Sequence, residues 1–194
     1  LIAGADVFIE NYRTGAMAEI GFDYESVRAI KPDIVYCSLT GYGQTGPRAK
    51  TNAYDNVIQA TSGIMDRSGG VKTAASIVDY TAGMSAAFAI SAALYRRRNE
   101  GQGVHIDCAM LDAALMLAAP ELSAVLSAKG MEGKRSEAGI GCYETADGRL
   151  MVGAFNFRQN ARLWKLLGEP AFADFDDWPA IWSASDAMRL KLTE

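Results

Sequence analysis

Phe22-Asp23-Tyr24-Glu25-Ser26-Val27-Arg28-Ala29-Ile30-Lys31-Pro32-Asp33-Ile34-Val35-Tyr36-Cys37-Ser38-Leu39 decides the fold. Asp23 is a favoured N-cap, Phe22 and Val27 have the spacing of a hydrophobic staple, and Pro32 cannot continue a helix. The pattern therefore predicts a helix that opens after Asp23 and closes at Lys31. The apolar run 34–39 follows directly and reads as a strand, and 7–9 reads as an earlier one. Both runs are apolar throughout rather than alternating, which is the pattern of strands buried on both faces of a parallel sheet. Strand, helix and strand in that order predict an α/β fold.

Outward from this unit, Thr14 is placed to cap a brief helix that Gly21 stops. Residues 40–70 are rich in glycine and polar side chains, with only 54–60 suited to a short helical or extended element. A long helix over 80–95, built largely of Ala, Gly and Ser, has little polar face and is expected to lie buried against the sheet. Arg96, Arg97 and Arg98 at its end suit the helix dipole. Gly101-Gln102-Gly103 then turns the chain into a strand over 104–109, and an alanine-rich helix runs on from about residue 111 with Pro120 as a kink. The polar stretch 129–141 reads as a linker. Beyond it, 142–145 and 150–154 flank Asp147-Gly148, a hairpin signal, and 160–167 reads as a helix stopped by Gly168. The change of pattern predicts two domains: 1–128 as part of a large α/β domain, and 142–194 as the start of a smaller α+β domain.

Composition narrows the function. The 194 residues are 49% hydrophobic and 22% charged with a net charge of −4, so a nucleic-acid partner would need a basic patch, and the only basic run is Arg96-Arg97-Arg98. Cys37, Cys108 and Cys142 are scattered singly, with neither zinc-site spacing nor the density of a disulfide scaffold, and they fit a reducing cytoplasm. The apolar stretch 110–126 is broken by Asp112, Pro120 and Glu121, so no membrane span is expected there or elsewhere. The chain opens on Leu1-Ile2-Ala3-Gly4-Ala5-Asp6 and enters a strand almost at once, the expectation for a truncated start.

Four features bear on chemistry. Gly41-Tyr42-Gly43-Gln44-Thr45-Gly46 fits GxGxxG after a strand, but Pro47-Arg48-Ala49-Lys50-Thr51-Asn52 shows no apolar helical period. A glycine-rich turn is preferred over a dinucleotide site. His105 is the only histidine, which excludes mechanisms needing two imidazoles and histidine-rich metal sites, and it reads as a surface or packed strand residue. No metal site is visible. Asp79 follows Ile77 and Val78 and precedes a nearly uncharged helix, so a carboxylate expected to be at least half-buried needs a role. An N-cap and a nucleophile held ionised by helix amides both remain open. Tyr54-Asp55-Asn56, with Gln59 one turn on, reads either as a turn or helix start capped by Asp55 or as a second polar cluster.

Taken in order, Ala5-Asp6-Val7-Phe8-Ile9-Glu10-Asn11-Tyr12-Arg13-Thr14-Gly15, then Gly43-Gln44-Thr45-Gly46-Pro47, Tyr54-Asp55-Asn56, Asp79 and Gly101-Gln102-Gly103-Val104-His105-Ile106-Asp107 resemble the family III CoA transferases. This family includes formyl-CoA and carnitine CoA transferases and the related α-methylacyl-CoA racemases. The resemblance implies a Rossmann-like large domain that holds CoA, a smaller second domain, and two chains interlocked as a homodimer. It implies too that the first part of the large domain and most of the small one lie outside this chain. Asp79 falls where the family places a nucleophile that attacks acyl-CoA, passing through an acyl-aspartyl anhydride and an aspartyl-CoA thioester. The substrates are then an acyl-CoA and a carboxylic acid, with no further cofactor. Asn11, Tyr12 and Ala16 match positions lining the CoA site. Glu19 stands where relatives often carry a basic residue for the CoA phosphates, leaving that role to another group such as Arg13. Tyr54 and Asp55 match a Tyr-acid pair that orients substrate and nucleophile. The racemase branch has a histidine at the position of Tyr54, and a phenol is a poor base near neutral pH, so transfer is preferred. A noncatalytic CoA-binding relative is a third reading, and the presence of Asp79 speaks against it.

Overall fold

The computed structural model describes residues 1–127 and 137–193. They fall into two units with separate cores. In the first, β1 (Val7–Glu10), β2 (Val35–Thr40) and β3 (Val104–Ala109) form a parallel sheet in the order β1-β2-β3, with Val7 beside Val35 and Val35 beside Val104. The central strand is the most buried, as its unbroken apolar run predicts. Burial above all pushes the Cys37 thiol on this strand up to about 11, so it remains a protonated core side chain.

The connection from β1 to β2 holds α1 (Ala16–Glu19) and α2 (Tyr24–Ile30). Asp23 caps α2 by accepting from the Ser26 N–H at 2.8 Å. Val27, Ile34 and Tyr36 are buried on this side of the sheet with Phe8 and Tyr24 packed around them. The Tyr36 hydroxyl donates to the Phe22 carbonyl at 2.8 Å. Thr14 does not cap α1: Gly15, at φ 89°, holds that position, and the Thr14 hydroxyl donates to the Gly43 carbonyl at 3.3 Å.

After β2 come α3 (Asp55–Thr61), α4 (Ile64–Arg67) and the long α5 (Ile77–Glu100). α5 begins three residues earlier and ends five later than its composition suggests, closing on Gly101 at φ 70°. It is only half covered. Val78, Ala82, Ala86 and Ala93 are buried, whereas Tyr80, Met84, Phe88 and Tyr95 form an exposed apolar stripe. By length and composition α5 could also cross a membrane, against the expectation of no such helix. The core helix of an α/β layer meets the same test, and α5 does contact β2 and β3. At its far end Arg97 donates to the carbonyls of Asp6 and Asp33, both at 3.2 Å, and pairs with the Asp6 carboxylate at 2.6 Å. Asp6 and Asp33 stand just before β1 and β2, so Arg97 ties the helix end to the edge where these strands start. Arg97→Ala is expected to lower stability by about 1 kcal/mol, since its guanidinium is mostly covered but its partners Asp6 and Asp33 are exposed or half-buried, read as a lower urea midpoint at unchanged slope.

Gly103 must be glycine, because a Cβ there would lie 2.2 Å from the Ile34 carbonyl oxygen. Following β3, the expected kinked helix is two: α6 (Met110–Leu117) and α7 (Ala119–Leu126), separated at Ala118 with Pro120 in the first turn of α7, where its missing N–H is tolerated.

In the second unit β4 (Ile140–Thr145) and β5 (Gly148–Gly153) form the antiparallel hairpin, two residues longer at its start than expected. The expected linker 129–141 therefore overlaps β4, and its residues 129–136 lie outside the described residues. α8 (Phe157–Leu166) opens earlier than predicted because Asn156 caps it, accepting from the Gln159 N–H at 3.0 Å. Its Trp164 is buried with Ala138, Ala173, Ile181 and Met188, the last two from α9 (Trp178–Thr193), which the sequence pattern did not mark.

Candidate active site

In open parallel sheets ligands bind beyond the C-terminal ends of the strands. The turn holding Asn11, Tyr12 and Arg13 leaves the C-terminal end of β1, and the 41–46 loop leaves that of β2. Arg97 anchors the last turns of α5 at the opposite edge, and the Cys108 thiol near the end of β3 reaches the Ala82 carbonyl at 3.6 Å. α5 thus runs antiparallel to the strands and brings Asp79 to the edge that carries the two loops.

Asp79 is the third residue of α5, not its N-cap, and is exposed. This corrects the expectation of a half-buried carboxylate. The capping role belongs to Asp55. Ser76 makes no side-chain cap, and Asp55, first residue of α3 and 5% exposed, accepts from the N–H groups of Val78 at 2.9 Å and Asp79 at 3.3 Å through Oδ2. Its Oδ1 accepts from Gln59 Nε2 and lies 3.6 Å from Lys72 Nζ. Asp55 therefore caps a different helix from its own. The Asp79 carboxylate accepts no hydrogen bond among the described residues. Partial burial, and then the charge of Asp55, push its carboxyl above the ordinary 3.8, while Lys72 pulls it back.

Gln59 is fully buried, and its Oε1 accepts from Thr73 N at 3.0 Å and Thr73 Oγ1 at 3.1 Å, tying α3 to the segment before α5. Tyr54 occupies the N-cap position of α3 with its side chain exposed. Neither Gln59 nor Lys72 was singled out as a site residue from sequence. The one available signal for Gln59 was its place one helical turn after Asp55.

The turn after β1 is held by Glu10, 8% exposed, whose Oε2 accepts from the Tyr12 N–H at 2.9 Å. Tyr12 is exposed, and Ala16 is the first residue of α1. Glu10 and Arg13 line a cavity with Tyr24, Ser38, Gln44 and His105. Arg13 does not simply replace the basic residue missing at Glu19: its Nη2 contacts both Glu19 carboxylate oxygens, at 2.6 and 2.7 Å. A phosphate would have to compete with that carboxylate. His105 is a packed strand residue, stacked on Tyr24 with centroids 5.0 Å apart and bonded through Nε2 to Ser38 Oγ at 2.9 Å.

The 41–46 loop opens no helix. Its amides are taken by protein oxygens, Gly43 N–H by Thr40 Oγ1 at 3.0 Å and Gln44 N–H by Asp107 Oδ2 at 2.8 Å. Those donors are not free for a pyrophosphate, and the carboxylate beside them would repel one. No group of three or more His, Cys, Asp or Glu suited to a metal occurs among the described residues.

The model of CoA-transferase family III matches residues 1–191. The chain belongs to that family. A succinate–glutarate CoA-transferase of Agrobacterium fabrum is 38% identical over 184 residues, 90% of this chain and 46% of that protein. A succinyl-CoA:glutarate CoA-transferase of Mus musculus is 36% identical over 90% of this chain and 42% of its own length. Among solved structures, a CAIB/BAIF family protein from Brucella suis superposes with a TM-score of 0.77 at 30% identity, covering 100% of this chain and 56% of that one. The chain thus spans about half the length of these relatives.

Proposed function

We propose that the protein carrying this chain transfers coenzyme A between an acyl-CoA and a carboxylic acid, with Asp79 as covalent nucleophile. One observation carries this reading: Asp79 stands in the first turn of α5, exposed and with its carboxylate unbonded among the described residues, because Asp55 has taken over the capping of that turn. A carboxylate engaged in capping would have to give up those bonds before it could attack. Here the two tasks belong to two residues.

Asp79 adds to the thioester carbonyl and expels CoA thiolate, leaving an acyl-aspartyl anhydride. The thiolate then attacks the aspartyl carbonyl, releasing the first acid and leaving an aspartyl-CoA thioester. The acceptor carboxylate displaces CoA from this thioester, and the thiolate attacks the new acyl carbonyl to regenerate the Asp79 carboxylate. No net proton, electron or metal enters. In this reading Tyr54 lies beside the reacting carbonyl, Asn11, Tyr12 and Ala16 border CoA, and Arg13 meets its phosphates once it leaves Glu19. The exposed apolar stripe of α5 supports a homodimer, and the scattered single cysteines support a cytoplasmic enzyme. The relatives are named for succinate and glutarate, so succinyl-CoA with glutarate is the pair to try first.

The test is trapping. Incubating the intact protein with succinyl-CoA and hydroxylamine should convert Asp79 to its hydroxamate, located by peptide mass mapping, and only when the acyl-CoA is present. Active transfer with an unmodified Asp79 peptide would remove Asp79 from the role.

A further inference from the structure

We propose that Gln59 is a positioning residue for the transfer reaction: it fixes the Asp55 carboxylate beneath the first turn of α5 and so holds Asp79 in place. The proposal rests on Asp79 being the nucleophile.

Gln59 is 0% exposed, and a fully buried amide is tolerated only when both its ends are bonded. Both are. Nε2 donates to Asp55 Oδ1, and Oε1 accepts from the Thr73 amide and hydroxyl. Leucine would fill similar space but take this partner from Asp55 Oδ1 and from the Thr73 N–H, so what the amide adds is the orientation it imposes. It imposes two. The Asp55 side chain can turn about its terminal torsion, which has only broad preferences of its own. With Oδ1 held by Gln59, Oδ2 stays under the N–H groups of Val78 and Asp79, the second of these being the longer contact at 3.3 Å. Through Thr73, Gln59 also anchors the chain three residues before Ser76, the N-cap of α5. Asp79 is thus located from α3 on one side and from the preceding segment on the other, with Gln59 common to both. The charged groups in this cluster are Asp55 on α3, Lys72 on the preceding segment and Asp79 on α5.

Two substitutions in the intact protein test this, with succinyl-CoA and glutarate as substrates. Gln59→Leu should lower kcat about 10- to 100-fold with KM for the acyl-CoA within about twofold, because the loss lies in nucleophile placement and not in binding. Gln59→Glu gives the pH signature. Protonated, its acid donates to Asp55 and accepts from Thr73 as the amide does. Ionised, it loses the donor and sets a second carboxylate against Asp55. Its activity should therefore approach wild type at low pH and fall as pH rises through a range where wild type is flat. Gln59→Leu keeping half or more of kcat, or Gln59→Glu following the wild-type profile, overturns the proposal. If Gln59→Leu does not fold by circular dichroism, the Gln59→Glu profile decides alone. Asp79→Asn run in parallel separates the readings. Loss of transfer there with both Gln59 variants unaffected rejects only the role of Gln59, whereas continued transfer by Asp79→Asn rejects the nucleophile and this proposal with it.

Discussion

Asp79→Asn should abolish CoA transfer, by roughly 10⁴-fold or more, while leaving the fold and CoA binding almost unchanged. The size follows from the role: without a carboxylate neither covalent intermediate can form, and what remains is uncatalysed attack between bound reactants. The fold should tolerate the change because Asp79 is exposed and its side chain makes no bond to the described residues, while its backbone N–H still donates to Asp55. The measurement is transfer rate beside thermal denaturation and CoA binding, and a tenth of wild-type activity would rule out the role. The pH dependence of the wild type adds a second check. Attack needs the carboxylate form, so the rate should be full above the Asp79 pKa and fall as pH drops through it. Burial and the Asp55 charge place that acid limb above 3.8.

What the sequence could and could not reveal follows the range of the interactions. Asp23 caps the helix beginning one residue later through Ser26, and β3 covers 104–109 as predicted, since both signals lie within a few residues of their effects. The parallel sheet was legible from its apolar runs for the same reason, but the expected burial of both faces holds for β2 alone, since Ile9 of β1 is 58% exposed. Failures occur where a partner is remote. Thr14 looks like a local cap but spends its hydroxyl on Gly43, 29 residues away. Asp79 sits among apolar neighbours, which suggests burial, yet α5 turns one face outward. A helix of Ala, Gly and Ser carries no marker of which side the sheet will cover. At the site, the resemblance of motifs put Tyr54, Asp55 and Asp79 in one set, but not the division of labour between the two acids. That division depends on α3 packing beneath the first turn of α5, a contact 23 residues apart in sequence. The pairing of Arg13 with Glu19 was within reach of local reading, because loss of the basic residue at position 19 leaves a carboxylate that a nearby guanidinium will meet.

Asp55→Ala separates the capping acid from the attacking one and should damage both stability and rate. Removing the carboxylate strands the buried Val78 N–H and the Gln59 amide, and leaves Lys72 without its counterion. Removing one partner of a buried charged cluster and stranding its donors costs about 3–5 kcal/mol, the loss expected in urea denaturation. Transfer should fall roughly 100-fold, the effect of moving a nucleophile by about 1 Å, because the carboxylate that receives the Val78 and Asp79 N–H groups is gone. The two effects can be told apart. Asp55→Asn keeps an oxygen for the Val78 and Asp79 amides but removes the charge that raises the Asp79 carboxyl. Its acid limb should move to lower pH, the more so because Lys72 then acts on Asp79 without an intervening carboxylate. If instead the limb stays where the wild type has it, then Asp55 does not act electrostatically on the group that titrates, and Asp79 is not that group.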